Sequence, residues 1–240
     1  MSSLTIVIPT KNEEAFLPLL LRSLLRQTYE PDAIIVADAE STDRTCDIAR
    51  AFGATVVQGG LPGPGRNAGA KHASTDLILF LDADVVLKNP MFLEIAIREM
   101  EERGLDLATA DVLPMSGTRV DLVLHGIYNR YVRLCGEKNA HAAGFCMLVR
   151  RELHEALSGF DETIFFSEDM DYAKRAVRIG RFGFLSIPVP VSTRRLDRDG
   201  RFNIACKFLL AELHLLTLGP IRSNKFNYTF GYKQTYGRKK

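Results

Sequence analysis

No stretch of this chain comes near the roughly 20 consecutive apolar residues that cross a bilayer. The longest apolar-rich segment, Phe208 to Leu218, is about half that length and contains Glu212 and His214. The opening residues lack a signal-peptide pattern, because Lys11, Glu13 and Glu14 interrupt the first apolar run almost at once. Charge of one sign is not in excess. The net charge is +2, so no global field argues for nucleic acid as a partner. Cysteine is sparse. Cys46, Cys135, Cys146 and Cys206 form no close pair and no metal-site spacing. With apolar neighbours they read as reduced core residues, which favours a reducing, cytoplasmic setting over a disulfide framework. Linker-like Gly/Ser tracts, charge runs and repeats at solenoid spacing are also missing.

What is present is an ordinary globular composition, 46% apolar and 25% charged over 240 residues. That fits one large domain, or one domain with an appendage. Leu4 to Ile8 reads as a strand stopped by Pro9. A helix from about Glu14 to Gln27 carries the stripe Phe16, Leu17, Leu20, Leu21, Leu24 and Leu25. Ile34 to Ala37 reads as the second strand. Ser41 or Thr42 is placed to cap the next helix, which ends near Gly53. Thr55 to Val57 is the third strand. The Gly- and Pro-dense run from Gly59 to Gly65 reads as a loop, with a short helix following to about Ala73. Leu77 to Leu81 is the fourth strand, and Pro90 opens a helix to Glu102. Four strand–helix alternations argue for a mostly parallel sheet flanked by helices, an α/β fold.

The second half is less regular. It reads as a strand over Leu107 to Leu113, a helix over Val120 to Leu134 and a strand over Gly144 to Val149. A helix over Glu168 to Ile179 turns Met170, Ala173, Ala176 and Val177 inward, and Phe182 to Val191 holds one or two short strands.

Several clusters sit where such a fold binds ligands, beyond the carboxyl ends of its strands. Leu77-Ile78-Leu79-Phe80-Leu81 runs straight into Asp82-Ala83-Asp84. Two acids there suit a hard divalent cation bridged to phosphate, or simply a solvated strand terminus. Asp38 and Glu40 follow the second strand; a carboxylate there accepts hydrogen bonds from a base or ribose, or forms an acidic turn. Between Gly63 and Gly69, Arg66 offers a planar fork for phosphate or a base edge, or is a surface arginine on a tight turn. The segment is neither a Walker A loop nor a dinucleotide fingerprint. Phe165-Phe166-Ser167-Glu168-Asp169 places Ser167 to cap a helix. Its acids either stabilise that helix start or supply a base at a cleft mouth. Arg194, Arg195, Arg198 and Arg201, mixed with Asp197, Asp199 and Gly200, read as an exposed loop, either a solvated face or a lid whose arginines meet phosphate.

Taken in order, these segments resemble the family 2 glycosyltransferases, over about Leu4 to Arg201. The opening Val7-Ile8-Pro9-Thr10-Lys11-Asn12-Glu13-Glu14 is similar to the family's start, which lines the nucleotide pocket and so implicates Pro9, Thr10 and Glu13. Asp38 falls where the family binds the nucleobase, although Ala39 replaces the common second acid and Glu40 the usual glycine. Arg66-Asn67-Ala68-Gly69 resembles a donor-binding helix start. Asp82-Ala83-Asp84 resembles the family's DXD metal-and-diphosphate motif, with Asp84 as direct ligand and Asp82 nearer the ribose. Gly144-Phe145 lies on the acceptor side. Glu168-Asp169 matches the acidic pair of which Asp169 is the base, and Arg194-Arg195 the late basic motif that closes over diphosphate.

The resemblance implies a GT-A fold with a single Rossmann-like nucleotide-binding domain. It implies a nucleoside-diphosphate sugar as donor, Mn2+ or Mg2+ at Asp84 and Asp82, and inverting transfer to a carbohydrate or lipid-linked acceptor. The expected organisation is a catalytic domain over 1–204, split into a donor half (1–104) and an acceptor half (105–204), then a C-terminal segment, 205–240. In that segment Ala205 to Leu218 reads as an apolar-rich helix. Arg222, Lys225, Lys233, Arg238, Lys239 and Lys240 follow, interleaved with Phe226, Tyr228, Phe230, Tyr232 and Tyr236. It suits peripheral contact with an anionic membrane at the cytoplasmic face, or packing on the domain or a second subunit. Two other readings compete. A nucleotidyltransferase would carry a glycine-rich loop after the first strand, which Pro9-Thr10-Lys11-Asn12 does not offer. A non-catalytic sugar-nucleotide or carbohydrate-binding protein would not need both Asp84 and Asp169.

Overall fold

The computed structural model describes residues 1–116, 118–136 and 140–226. Four parallel strands come first: β1 (Leu4–Thr10), β2 (Ala33–Asp38), β3 (Thr55–Gln58) and β4 (Leu77–Leu81). The helices α1 (Leu17–Leu24), α2 (Thr45–Ala51) and α3 (Pro62–Ala70) connect them. After β4 come α4 (Phe92–Glu102), β5 (Leu107–Thr109), β6 (Val112–Pro114), α5 (Arg119–Cys135), β7 (Cys146–Arg150), α6 (Arg151–Ala156) and α7 (Glu168–Ala176). The described chain ends with β8 (Phe182–Phe184), β9 (Val189–Val191), α8 (Arg194–Asp199) and α9 (Arg201–Thr217).

The main sheet has seven strands in the order β3-β2-β1-β4-β7-β5-β8. β7 runs antiparallel to both β4 and β5, and the other pairings are parallel. A small parallel pair, β6 with β9, stands apart from it. The mostly parallel α/β architecture is the one read from the strand–helix alternation.

Side chains alternate across the sheet, as they must in extended backbone. Ile6, Ile8, Leu79 and Leu81 face Leu17, Leu20 and Leu21 of α1 and Leu93, Ile97 and Met100 of α4. Val7, Ile78 and Phe80 face the other way, against Met147, Phe160, Tyr172 and Ala173. Both faces are therefore covered, which is why β4 is apolar at every position and fully buried.

Local readings are corrected in several places. The run Pro62-Gly63-Pro64-Gly65 is not a loop but the first turns of α3. Prolines early in a helix lose no hydrogen bond, and the glycines let α3 lie close on β1. A Cβ at Gly69 would sit 2.3 Å from Val7 Cγ1, and one at Gly65 2.8 Å from the Gly60 carbonyl oxygen. Neither Ser41 nor Thr42 caps α2, which starts at Thr45 without a side-chain cap. Ser41 is instead held by Asp38. The strand read over 107–113 is two strands in different sheets, β5 and β6. Helix α1 is shorter than its apolar stripe, with turns on either side. The helix expected from Pro90 begins at Phe92, and the one from Glu168 stops at Ala176. In α7 the buried inward residues are Tyr172, Ala173 and Ala176, while Met170 and Val177 are half-buried. The arginine-rich stretch is α8 and the start of α9 rather than a loop. The boundary drawn after residue 204 falls inside α9. Cys146 is buried, but Cys46, Cys135 and Cys206 are half-buried, and all four are free.

Gly69→Ala is expected to destabilise the fold by about 2 kcal/mol, because the methyl group meets the buried, β-branched side chain of Val7, which has no free rotamer to move into. Urea unfolding of the two proteins measures this.

Candidate active site

The carboxyl ends of β1, β2 and β4 lie along one edge of the sheet. Pro9 and Thr10 come from β1, Asp38 from β2, and Asp82 and Asp84 from the turn after β4. Pro9, Thr10, Lys11, Glu13, Gly60, Leu61, Pro62, Asp82, Ala83, Asp84, Arg194 and Arg195 line one narrow cleft of about 80 Å3. Residues from four separate parts of the chain thus meet there.

Arg66 organises the floor. It projects from α3, is 2% exposed, and makes three polar contacts. Nη1 donates to Glu168 Oε1 at 2.6 Å, and Nη2 donates to Asp82 Oδ1 at 2.9 Å and to the Gly144 carbonyl at 3.0 Å. The guanidinium also lies 5.5 Å from the Phe160 ring centre. Gly144 must lack a side chain here, since a Cβ would stand 2.5 Å from Arg66 Nη2 and 3.1 Å from Asp169 Oδ2. Its N–H donates to Asp169 Oδ2 at 2.7 Å, while the Met170 N–H donates to Oδ1 at 2.8 Å. Asp82 is thereby tied to Arg66 directly and Asp169 through the Gly144 backbone.

Three carboxylates around one guanidinium leave an excess of negative charge. Burial pushes Glu168 up to about 7, aided by the Asp169 charge and opposed by Arg66. Burial also raises Asp169 above the ordinary aspartate range, against the pull of Arg66 and the two backbone donors. A raised carboxyl is a stronger proton acceptor than an ordinary surface aspartate.

A second arginine closes the opposite side. Arg194 binds Glu13 with two hydrogen bonds, at 2.7 and 2.6 Å, and approaches Asp84 Oδ2 at 3.0 Å. It lies 4.5 Å from the Phe16 ring centre. Burial pushes Glu13 up to about 7 in spite of Arg194. Burial likewise raises Asp84, with Arg194 opposing and Asp82 adding to the rise. Asp82 is 38% exposed and Asp84 18%, so both reach the cleft. Arg195 lines the same wall.

Asp38 does not line this cleft. Its Oδ1 accepts from Thr10 Oγ1 at 2.8 Å and Ser41 Oγ at 2.6 Å, and its Oδ2 accepts from the Ser41 N–H at 2.7 Å. Burial works against its charge, but the donors of Ser41, Thr10 and Cys46 outweigh it and hold the carboxyl below its ordinary value. Asp38 fixes the acidic turn beside the cleft. Lys11 adds to that turn by donating to the carbonyls of Ala39 and Glu40.

Three contributors lay in segments the sequence singled out, but their roles were not read there. Glu168 stood in the acidic pair with Asp169, yet nothing in local order marks it as the tightest partner of Arg66. The Gly144 backbone is invisible as a donor. Asn67 is buried and clamps the segment before α7, donating to the Phe160 carbonyl and Glu162 and accepting from the Phe160 N–H. Ser167 does not cap α7. It adopts φ of 62°, a left-handed conformation unusual for serine, immediately before the two acids.

Residues 5–158 match the model of Glycosyl transferase family 2. The chain belongs to this family. A curated relative, the 4,4'-diaponeurosporenoate glycosyltransferase of Staphylococcus haemolyticus (strain JCSC1435), is 36% identical over 115 residues, or 43% of this chain and 30% of the relative. The match thus spans under a third of that enzyme's length. The fold is similar to that of S. aureus TarS 1–349 in complex with UDP-GlcNAc, with a TM-score of 0.62 and 20% identity over 79% of this chain and 58% of the other. It is similar also to mannosyltransferase PcManGT from Pyrobaculum calidifontis in complex with GDP-Man and Mn2+, with a TM-score of 0.61 and 19% identity over 80% and 56% of the two chains. The architecture is therefore a GT-A glycosyltransferase fold.

Glu13 and Glu168 give this family 2 chain a distinct pH signature. Each holds its proton up to about 7 when folded, against an ordinary carboxyl value of 4.5. Between those values the folded protein keeps protons that the unfolded chain has released, so unfolding free energy falls as pH rises through this window. Urea unfolding without divalent ions should show that decline, and Glu168→Gln should make it shallower.

Proposed function

We propose that the cleft transfers a glycosyl group from a nucleoside-diphosphate sugar to an acceptor hydroxyl, or to a lipid phosphate, with inversion. The observation that carries this reading is the Arg66 network, which ties the strand-tip Asp82 directly, and Asp169 through the Gly144 backbone, to one buried guanidinium. A strand-tip pair for a diphosphate and a separate raised carboxylate for a proton are the two parts that one direct displacement needs. The ligands of the solved neighbours, UDP-GlcNAc and GDP-Man, support the donor class.

In this reading Pro9, Thr10 and Glu13 border the nucleotide, and Asp38 offers its remaining acceptor capacity to the base. Arg194 and Arg195 face the diphosphate. Residues 1–104 serve the donor and 105–204 the acceptor. Asp169 takes the proton of the acceptor hydroxyl as its oxygen bonds to the anomeric carbon. The bond from that carbon to the diphosphate oxygen breaks, and nucleoside diphosphate leaves. No carboxylate nucleophile intervenes.

The acids at the cleft fit a divalent cation. Asp84 and Asp82 are hard oxygen donors that reach the cleft, and among the described residues no group of three His, Cys, Asp or Glu converges on a cage. That suits Mn2+ or Mg2+, which fill their other positions with phosphate oxygens and water. When bound, the cation supplies neutralisation of the charge growing on the departing diphosphate. Arg194 shares Asp84 and adds to the same neutralisation.

The acceptor is a carbohydrate or a lipid-linked group. Among the described residues no helix is long and apolar enough to cross a membrane. The reading places the C-terminal segment against the cytoplasmic membrane surface as a peripheral contact.

A panel of nucleoside diphosphates in thermal shift, with and without Mn2+, identifies the base, since binding stabilises by mass action. Nucleotide release in the presence of an acceptor then tests transfer. Asp169→Asn should lower kcat by about 100- to 10,000-fold with nucleoside-diphosphate affinity nearly unchanged by calorimetry; loss of that binding would refute the assignment. Asp84→Ala should weaken nucleotide binding only when Mn2+ is present, and unchanged affinity with the ion would sink its role as ligand.

A further inference from the structure

Two long helices, α5 and α9, carry apolar stripes that the cleft does not explain. On α5 the exposed residues Val120, Val123, Ile127, Tyr131 and Leu134 recur at steps of three or four. On α9 Phe202, Ala205, Leu209, Leu213 and Leu216 follow the same spacing and are exposed. Ile127 is 62% and Leu209 71% exposed. At 100° per residue each stripe covers roughly 80° of its helix.

The helices run side by side in the same direction. Arg201 at the start of α9 binds Asp121 at the start of α5 at 2.7 and 2.8 Å. About a dozen residues further along α9, Glu212 accepts from Tyr131 Oη of α5 at 3.0 Å. These contacts fix which flank of each helix meets the other. Seen from the shared N-terminal end, the α5 stripe lies about a quarter-turn counter-clockwise from its contact flank. The α9 stripe lies about a quarter-turn clockwise from its own. Both stripes therefore turn to one side and form a single surface. Contiguous apolar surface of this kind marks an interaction face.

Charge selects the occupant. Arg119 and Arg130 are exposed beside the α5 stripe. Lys207 turns away from the α9 stripe, Arg222 binds Asp161 and Lys225 lies against His214, so Arg119 and Arg130 are the charges that flank the stripes. Residues 227–240 add Lys233, Arg238, Lys239 and Lys240 and contain no acid. The acid of each helix is already bound, Asp121 by Arg201 and Glu212 by Tyr131 and His141. A second copy would set arginines against arginines with no acid on either helix to answer them.

We propose that α5 and α9 together form a docking face for an anionic lipid surface. This deepens the reading of the cleft as a glycosyltransferase by naming where its acceptor resides, and it rests on that reading for its purpose alone. The stripes insert among the acyl chains and headgroups while the basic side chains meet lipid phosphates. The face stands over the catalytic end of the cleft. Ala211 on the underside of α9 packs with Phe166 and Ile221, and Phe166 lies two residues before Glu168. A docked enzyme thus holds the start of α7, with Asp169, one helix diameter (roughly 10 Å) beneath the lipid surface.

Flotation of the full chain with phosphatidylcholine vesicles, with and without phosphatidylglycerol, tests this with no donor, acceptor or cation present. The chain should float with the anionic vesicles and be released by salt. Ile127→Glu with Leu213→Glu should lower partitioning roughly tenfold or more, and Arg119→Ala with Arg130→Ala should lower it on anionic vesicles alone. Folding is checked by circular dichroism, and Ile127→Ser with Leu213→Ser serves if the charged pair does not fold. Absence of flotation, flotation indifferent to the α5 substitutions, or a solution dimer that the Glu variant dissociates would overturn the proposal. Flotation as expected from a protein that transfers no sugar would refute the glycosyltransferase reading and leave the lipid face standing.

Discussion

The structure turns on one buried cation. Arg66 is withdrawn from water, and a guanidinium cannot shed its charge to relieve that penalty. It needs several acceptors at once, and they come from the turn after β4, the segment before β7 and the start of α7. Helix α3 must lie flat on β1 to deliver it, which the small residues Gly65 and Gly69 permit. The acids in turn need Arg66, because Asp82, Glu168 and Asp169 crowd a space where their charges repel. Fold and site are in this sense one network of mutual compensation.

The second arginine works under different terms. Arg194 comes from a short helix late in the chain and reaches back to Glu13 and Asp84 near the sheet edge. It therefore joins the last described helices to the first strand's turn. Both it and Arg66 bind one member of the Asp82-Ala83-Asp84 turn. That turn is the meeting point of the two networks and lies between a wall of arginine on each side. Each arginine is already paired with acids there, so the turn is held with little freedom to reorganise.

Much of the first half was legible in the amino-acid order. The β4 run is apolar at every position because both faces of a mostly parallel sheet are covered, and Asp82 and Asp84 end it where such sheets bind ligands. What could not be read was local competition. Pro62-Gly63-Pro64-Gly65 has the chemistry of a turn, yet the close approach of α3 to β1 made it helical. Arg194 to Arg201 looked like a solvated loop, yet bonds to Glu13, Asp84 and Asp121 drew it into helices against the domain. Ser167 had the chemistry of a cap, but its left-handed backbone serves to aim the two residues that follow. Propensity gave way to tertiary contact in each case.

By itself the sequence determined the strand–helix alternation, the acids at the strand tip and the family resemblance, since periodicity and short motifs are local properties. Tertiary structure decided which charges became partners. Glu168 stands 102 residues from Arg66, and Glu13 stands 181 from Arg194. Nothing in local order selects those pairs over the many other acids of the chain. They are chosen because a buried guanidinium tolerates few arrangements, and the packed sheet brings these carboxylates within its reach. The same holds for α5 and α9. Each helix was visible as a helix, but only the contacts Arg201–Asp121 and Tyr131–Glu212 turned their apolar stripes to one side.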